Sequence, residues 1–313
     1  MTAALRRTLL LICPLLLACG GEPAPSPQAA IETEDDKLYY AMGLAVGRGM
    51  GTYAGHLSEA MLAEALDAVG DVAKQQPHRV KFQDFIPQLQ ALGQQYERAA
   101  KDSTAPPPEV NTGALTEEDK NLYYAFGLAL SQSLGNFVGR LDDRQIEMVK
   151  VGFADVAMER PHQVDLEVYG PRLNELSSQY QGEIVAEQKA AGAAYLAEVA
   201  AEEGAMKTAS GIVYKELVAG SGVQVQPTDR VRVHYTGTLV DGTQFDSSRD
   251  RGEPIAFGLG QVVKGWQEGL PLMRVGGRGI LVIPSDLAYG DGGRPGIPPG
   301  STLVFDIEVL GVE

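Results

Sequence analysis

Six aromatic side chains, Tyr235, Phe245, Phe257, Trp266, Tyr289 and Phe305, fall within 71 residues of a 313-residue chain whose overall aromatic content is only 7% and whose single tryptophan is Trp266. Aromatic rings gathered in this way suit noncovalent work: they bury large areas and meet edge to face, forming walls that a ligand can fill. The residue sets that covalent or metal chemistry needs are missing. The four histidines (56, 78, 162 and 234) are scattered, and there is no GxSxG elbow and no HExxH pair. Cys13 and Cys19 are the only thiols, too few for a disulfide scaffold or a four-thiolate metal site. The run from Tyr289 to Gly300 is rich in Gly and Pro but lacks the Lys-Ser/Thr of a phosphate loop, and Gly258-Leu259-Gly260 is too short for a dinucleotide fingerprint. With 41 acidic against 26 basic residues, the net charge of −15 has the wrong sign for gripping nucleic-acid phosphates. The expectation is an apolar cleft that works without metal, cofactor or nucleic acid.

Such a cleft needs a framework, and the pattern around the aromatics supplies one. Val231, Val233 and Tyr235 alternate with Arg230, Arg232 and His234, and Leu303, Phe305, Ile307 and Val309 alternate likewise, which predicts two half-buried strands. Asp241-Gly242 is a turn signal after the first, and Lys264 to Leu270 reads as one short helix. Residues 205–313 are therefore expected to form an antiparallel sheet wrapped on a short helix, within a chain of α+β class.

The preceding half reads as helical and duplicated. Leu38-Tyr39-Tyr40-Ala41-Met42-Gly43-Leu44-Ala45 returns as Leu122-Tyr123-Tyr124-Ala125-Phe126-Gly127-Leu128-Ala129, and at an offset of 84 residues 38–96 match 122–180 at 21 of 59 positions without a gap. Each copy opens with a hydroxyl cap and an acid three residues on, Thr33/Asp36 and Thr116/Asp119. Second helices are expected over about 58–74 and 142–159, and third helices from near Phe82 and near Pro171. The last is expected to run to about Glu203, a stalk of roughly 45 Å, with Gly204 as its C-cap. The expected organisation is a first repeat over 31–102, a Pro-rich linker over 103–114, a second repeat with the stalk over 115–204, and the sheet domain over 205–313, in keeping with two or three domains for this length.

Residues 1–18 hold Arg6-Arg7 followed by an apolar run that is too short to span a bilayer, as in a secretory signal. The run closes on Leu16-Leu17-Ala18-Cys19-Gly20, which resembles the bacterial lipobox. That resemblance implies cleavage before Cys19, lipidation of Cys19, and Gly20 in place of the Asp that favours the inner membrane. The mature chain would carry 24 basic and 41 acidic residues, a net −17, with residues 19–30 as a small, Pro-rich tether. The expected location is the bacterial outer membrane, facing the periplasm, with the lipid as the sole membrane anchor.

Five segments then occur in order: VHYTGTL (233–239), DGTQFDSSRDR (241–251), QVVKGWQEG (261–269), LAYG (287–290) and GIPPGSTLVFD (296–306). Together they resemble the FKBP-type peptidyl-prolyl cis-trans isomerases over about residues 210–313, and the helical repeats with their long helix resemble the N-terminal domain of the Mip and FkpA branch of that family. The resemblance implies that Tyr235, Phe245, Asp246, Val262, Val263, Trp266, Tyr289 and Phe305 line a proline pocket, with Trp266 as its floor. It also implies that the Tyr289 hydroxyl and the Val263 N–H donate to substrate carbonyls, and that Ile255, Phe257, Arg294 and Ile297 form the rim. Ile255 stands where the family commonly has an aromatic and Arg294 where it commonly has His, departures that bear on substrate preference and inhibitor affinity. Implied partners are proline-containing unfolded or partly folded polypeptides, macrolide inhibitors of the same pocket, and either a second chain in a homodimer or the other repeat of the same chain in an intramolecular pseudo-dimer.

Elementary physics makes such an activity compatible with the residues found. Rotation about an amide bond faces a barrier of about 18–20 kcal/mol, and X–Pro bonds populate both isomers yet exchange over tens of seconds. No bond forms or breaks. A cleft that holds the twisted amide better than the planar one by about 4 kcal/mol accelerates exchange a thousandfold. The alternative reading is a noncatalytic periplasmic chaperone or protein-binding module on the same fold.

Overall fold

The computed structural model describes residues 29–101 and 113–313. The leader, nearly all of the tether, the lipidation expected at Cys19 and most of the Pro-rich linker lie outside the described residues. Seven α-helices are described: α1 (Glu34–Gly47), α2 (Glu59–Ala73), α3 (Ile86–Lys101), α4 (Glu117–Ser131), α5 (Asp143–Ala157), α6 (Leu166–Ala200) and α7 (Lys264–Gly269). The strands are β1 (Ala205–Lys207), β2 (Val213–Val218), β3 (Arg230–Leu239), β4 (Gln244–Ser247), β5 (Ile255–Gly258), β6 (Arg278–Ile283) and β7 (Leu303–Val312). The class is α+β, a helical half followed by an antiparallel sheet. The chain divides into two compact units, 1–134 with 138–169, and 135–137 with 170–313.

In the first unit the capping boxes form as the sequence dictates. Thr33 Oγ1 accepts from Asp36 N while Asp36 accepts from Thr33 N, both at 3.0 Å, and Thr116 and Asp119 repeat this at 3.1 Å. The two copies do not pack as separate hairpins. They exchange partners, α1 against α5 and α2 against α4. Positions 84 residues apart make the same contacts: Tyr40 donates to Asp155 Oδ2 at 2.7 Å, and Tyr124 to Asp71 Oδ2 at 2.7 Å. Burial pushes the Tyr124 hydroxyl up to about 12. A Cβ on Gly43 would overlap the Val149 carbonyl oxygen and one on Gly127 that of Ala65, again equivalent positions, so glycine is what lets each helix pair cross backbone to backbone.

Two helix starts differ from expectation. Phe82–Phe85 is a 3-10 turn, and α3 begins after it, at Ile86. Helix α6 begins at Leu166, with Pro171 inside it, because Asp165 Oδ1 accepts from Glu167 N at 2.8 Å and starts the helix upstream. Pro171 then forfeits one backbone bond near the helix start instead of opening it. The helix ends at Ala200 and not near Glu203, while Gly204, at φ +79°, turns the chain four residues later. Its 35 residues span about 52 Å.

In the second unit the strands run in the order β1-β2-β6-β7-β3-β4, all pairs antiparallel, with β5 pairing β3. Strand β3 buries Val231, Val233, Tyr235, Gly237 and Leu239, the alternation its sequence carries. One face holds the main core, built on Val231, Val233, Leu281, Ile283, Ile307 and Val309, with Trp266 and Leu270 of the α7 region packed into it. The opposite face receives the end of α6: Leu196 and Val199 pack on Val213, Val282 and Val304. The boundary between the two units falls at residues 169 and 170, inside α6.

Candidate functional site

Strand β3 and its neighbours bring the aromatics together. Tyr235 projects inward from β3, and Phe305 from the adjoining β7, whose register pairs Gly237 with Phe305 and Tyr235 with Ile307. Phe245 comes from β4, Phe257 from β5, and Trp266 from α7 below. A Cβ on Gly237 would lie 2.7 Å from the Phe245 ring and 2.9 Å from that of Phe305, so only glycine lets both rings close over this point of the strand.

The rings surround a cavity of about 520 Å³, within the ordinary range for small-ligand pockets. Trp266 lies at its base. Its ring centroid is 5.2 Å from Tyr235 and 5.0 Å from Phe305, both nearly perpendicular, and 5.2 Å from Phe257. Phe245 stands edge-on to Phe305 at 5.7 Å. These are the tilted and T-shaped arrangements that aromatic quadrupoles favour, and they fix the walls without filling the space between them. Trp266 Nε1 is buried and has no hydrogen-bond partner among the described residues. Val262 and Val263 line one side, and the Val263 carbonyl accepts from Trp266 N and Gln267 N, which starts α7.

Polar groups are few. Tyr235 Oη donates to Asp246 Oδ2, Arg251 bonds the other Asp246 oxygen, and Arg251 Nη2 donates to Tyr235 Oη at 3.1 Å. Burial disfavours the Asp246 charge, but the hydrogen bonds from Tyr235 and Arg251 outweigh it and hold the carboxyl below its ordinary range. Burial, reinforced by Asp246, raises the Tyr235 hydroxyl. The three groups form a closed triangle, which leaves Asp246 committed to holding the wall. Tyr289 lies across the cavity on the loop after β6, and its hydroxyl accepts from Arg294 Nη1 at 2.9 Å.

The structure places all eight expected pocket residues and all four expected rim residues around this one cavity, with Ile255 at the mouth (39% exposed) and Ile297 buried (4%). Sequence reasoning did not single out four contributors. Gln261 and Pro295 also line the cavity, Arg251 holds Asp246, and Gly237 makes room for two rings. All four lie within or beside the motifs that carried the rest. No group of three or more His, Cys, Asp or Glu among the described residues could hold a metal ion, and no described helix is long and apolar enough to cross a membrane.

Residues 222–310 match the family model described as FKBP-type peptidyl-prolyl cis-trans isomerase, and residues 119–215 match the domain amino terminal to it. The chain is 38% identical over 225 residues to the FKBP-type peptidyl-prolyl cis-trans isomerase FkpA of Aeromonas hydrophila, covering 69% of this chain and 82% of that one. It is 41% identical over 193 residues to the FKBP-type 22 kDa peptidyl-prolyl cis-trans isomerase of Escherichia coli, covering 60% of this chain and 92% of that one. Among solved structures, the crystal structure of FkpA from Escherichia coli aligns with a TM-score of 0.49 at 36% identity, over 64% of this chain and 99% of that one.

Proposed function

The chain belongs to the FKBP-type peptidyl-prolyl cis-trans isomerases, and from that membership we propose that it isomerises X–Pro bonds of exported polypeptides by noncovalent stabilisation of the twisted amide in the cavity floored by Trp266. The observation that carries this reading is the composition of the wall. Five aromatic rings and Tyr289 face a space of about 520 Å³, none of the lining residues is Ser, Cys, His or Lys, and the one carboxylate is tied to Tyr235 and Arg251.

In this reading the proline ring rests on Trp266 between Tyr235 and Phe305. Rotation about the amide removes its resonance, so the nitrogen becomes pyramidal and the carbonyl loses negative charge. A dry aromatic wall favours that less polar species over the planar amide, which water solvates well. Tyr289 Oη donates to a carbonyl of the substrate and fixes the chain on one side of the bond, while Val262 and Val263 fix the other. Arg251 and Asp246 act as positioning residues by holding the Tyr235 ring upright.

The finer assignments are part of the same proposal. Cys19 carries the lipid that tethers the enzyme to the outer membrane on its periplasmic side. The helical half is satisfied within one chain, because the exchange of α1 and α2 with α5 and α4 uses the same positions in both copies and leaves neither repeat in need of a second chain. The enzyme is then a monomer, and light scattering on the lipid-free protein should return the mass of one chain at micromolar concentration; a mass of two chains would refute the intramolecular pairing.

The isomerase reading is tested by X–Pro exchange in a tetrapeptide and by refolding of a protein limited by proline isomerisation. Phe305→Ala and Tyr289→Ala should each remove most of the acceleration. Activity unchanged in both variants would refute this pocket, and suppression of aggregation with no isomerisation would favour the chaperone reading.

A further inference from the structure

Two charged side chains line the cavity, and they differ in one respect. Asp246 is matched by Arg251, whereas Arg294 bonds only the neutral Tyr289 hydroxyl, with no carboxylate at ion-pair distance among the described residues. The nearest acid on its own loop, Asp291, is taken by Lys189 at 2.7 Å. Arg294 is also held in place. Its backbone N–H donates to the Ile297 carbonyl at 2.9 Å and its carbonyl accepts from Ile297 N at 2.8 Å. Gly293 and Gly296 supply the left-handed residues, at φ +61° and +82°, that this tight bridge requires. The guanidinium lies 5.0 Å from the Tyr289 ring centroid. The mouth of the cavity thus carries one positioned, unpaired cation.

We propose that Arg294 is a specificity-determining residue that makes this cavity prefer X–Pro segments with a carboxylate side chain next to the proline. The proposal rests on the isomerase reading of the same cavity. A guanidinium offers five donors in a planar fork, and one of them is spent on Tyr289. Carboxylate is the group that matches the remainder. Because Arg294 donates to the Tyr289 oxygen, the hydroxyl's own hydrogen stays available for a substrate carbonyl, so carboxylate and carbonyl are held by adjacent groups. The net charge of −15 opposes acidic peptides at long range, but that field is screened beyond about 8–10 Å at physiological salt. Contact with Arg294 is not.

The test uses the full-length lipid-free protein and acetylated, amidated tetrapeptides that carry Glu, Gln or Lys immediately before or after proline. Binding is read from Trp266 fluorescence, which has no competing tryptophan, and exchange is read by NMR. At low salt the Glu peptide should bind and turn over about two- to fivefold better than the Gln peptide, the size of an exposed ion pair, with Lys below Gln. Arg294→Gln should bring the Glu/Gln ratio to one, Arg294→Lys should restore part of it, and 0.5 M salt should compress it. A ratio of one in the unaltered protein at both positions, or a ratio that survives Arg294→Gln, overturns the proposal. Turnover of the Gln peptide without any Glu preference rejects Arg294 and leaves the isomerase reading standing. A Glu preference in binding without any exchange does the reverse.

Discussion

The helical unit and the sheet unit solve the packing problem in opposite ways. Helix pairs in the first close until backbones touch, at Gly43 over Val149 and Gly127 over Ala65, and the polar groups left inside are bonded, Tyr40 to Asp155 and Tyr124 to Asp71. The second unit brings five aromatic rings to one place and then stops short, leaving a cavity of about 520 Å³ among them. Close packing is what stabilises interiors, so the open space gives up part of the stabilisation that those rings could contribute. The difference teaches where to look for function: in the unit that gathers five aromatic rings around one cavity.

Five measurements would break or sharpen that contrast. The largest effect is expected from Phe305→Ala. It should abolish most isomerase activity and cost the sheet unit about 3–5 kcal/mol, read as an earlier unfolding transition in Trp266 fluorescence, with the α6 share of the 222 nm signal lost in the same step and the remaining helical signal lost at its usual point. If both transitions moved together, the two units would not be energetically separate.

Alkaline pH should come next. Burial raises Tyr123 and Tyr124 in the helical unit, and Tyr214 in the sheet unit, to about 12. A raised hydroxyl stays protonated in the folded state while the unfolded chain ionises near 10, so its contribution is complete below pH 10 and is lost as pH rises toward 12. The helical unit, with the larger share of such tyrosines, should melt first in a pH titration followed by circular dichroism. The closed triangle at Asp246 behaves in the other sense. Its lowered carboxyl contributes fully above its unfolded value of 3.8 and is lost only in stronger acid, so the activity that depends on it should stay flat from about pH 5 to 8.

Gly43→Ala should destabilise the helical unit by about 1–3 kcal/mol through overpacking, while peptide isomerisation remains at its normal rate; a fall in that rate would show the units to be coupled. Smallest are the paired substitutions Tyr40→Phe and Tyr124→Phe, each about 1–2 kcal/mol. The Tyr40 hydroxyl also accepts from Gln163 N at 3.0 Å, and the Tyr124 hydroxyl from the equivalent Arg79 backbone, so the two substitutions should cost similar amounts, and a clear difference would mean that the two copies are not equivalent here.

Much of this was legible before any coordinates. Capping boxes and the alternation of β3 and β7 can be read because each depends on a local pattern, whereas twelve of the fourteen residues lining the cavity were legible only through the resemblance of the motifs to a known family. Other features could not be read. Arg251 lies in a motif but earns its role from a meeting with Asp246 and Tyr235 that no spacing announces. Pro171 reads as the start of α6, whereas the cap at Asp165 starts the helix upstream of it.

The sequence by itself determined that residues 38–96 match residues 122–180 at 21 of 59 positions and that a sheet with clustered aromatics follows, since internal similarity, periodicity and composition are properties of the chain. Which helix of one copy packs on which helix of the other was decided only in three dimensions. A repeat states what each surface can bind but not whether the matching surface is its own neighbour or its copy's. The same holds at the mouth of the cavity, where Asp246 and Arg294 read alike as charges, and only their surroundings pair the first with Arg251 and the second, among the described residues, with the Tyr289 hydroxyl.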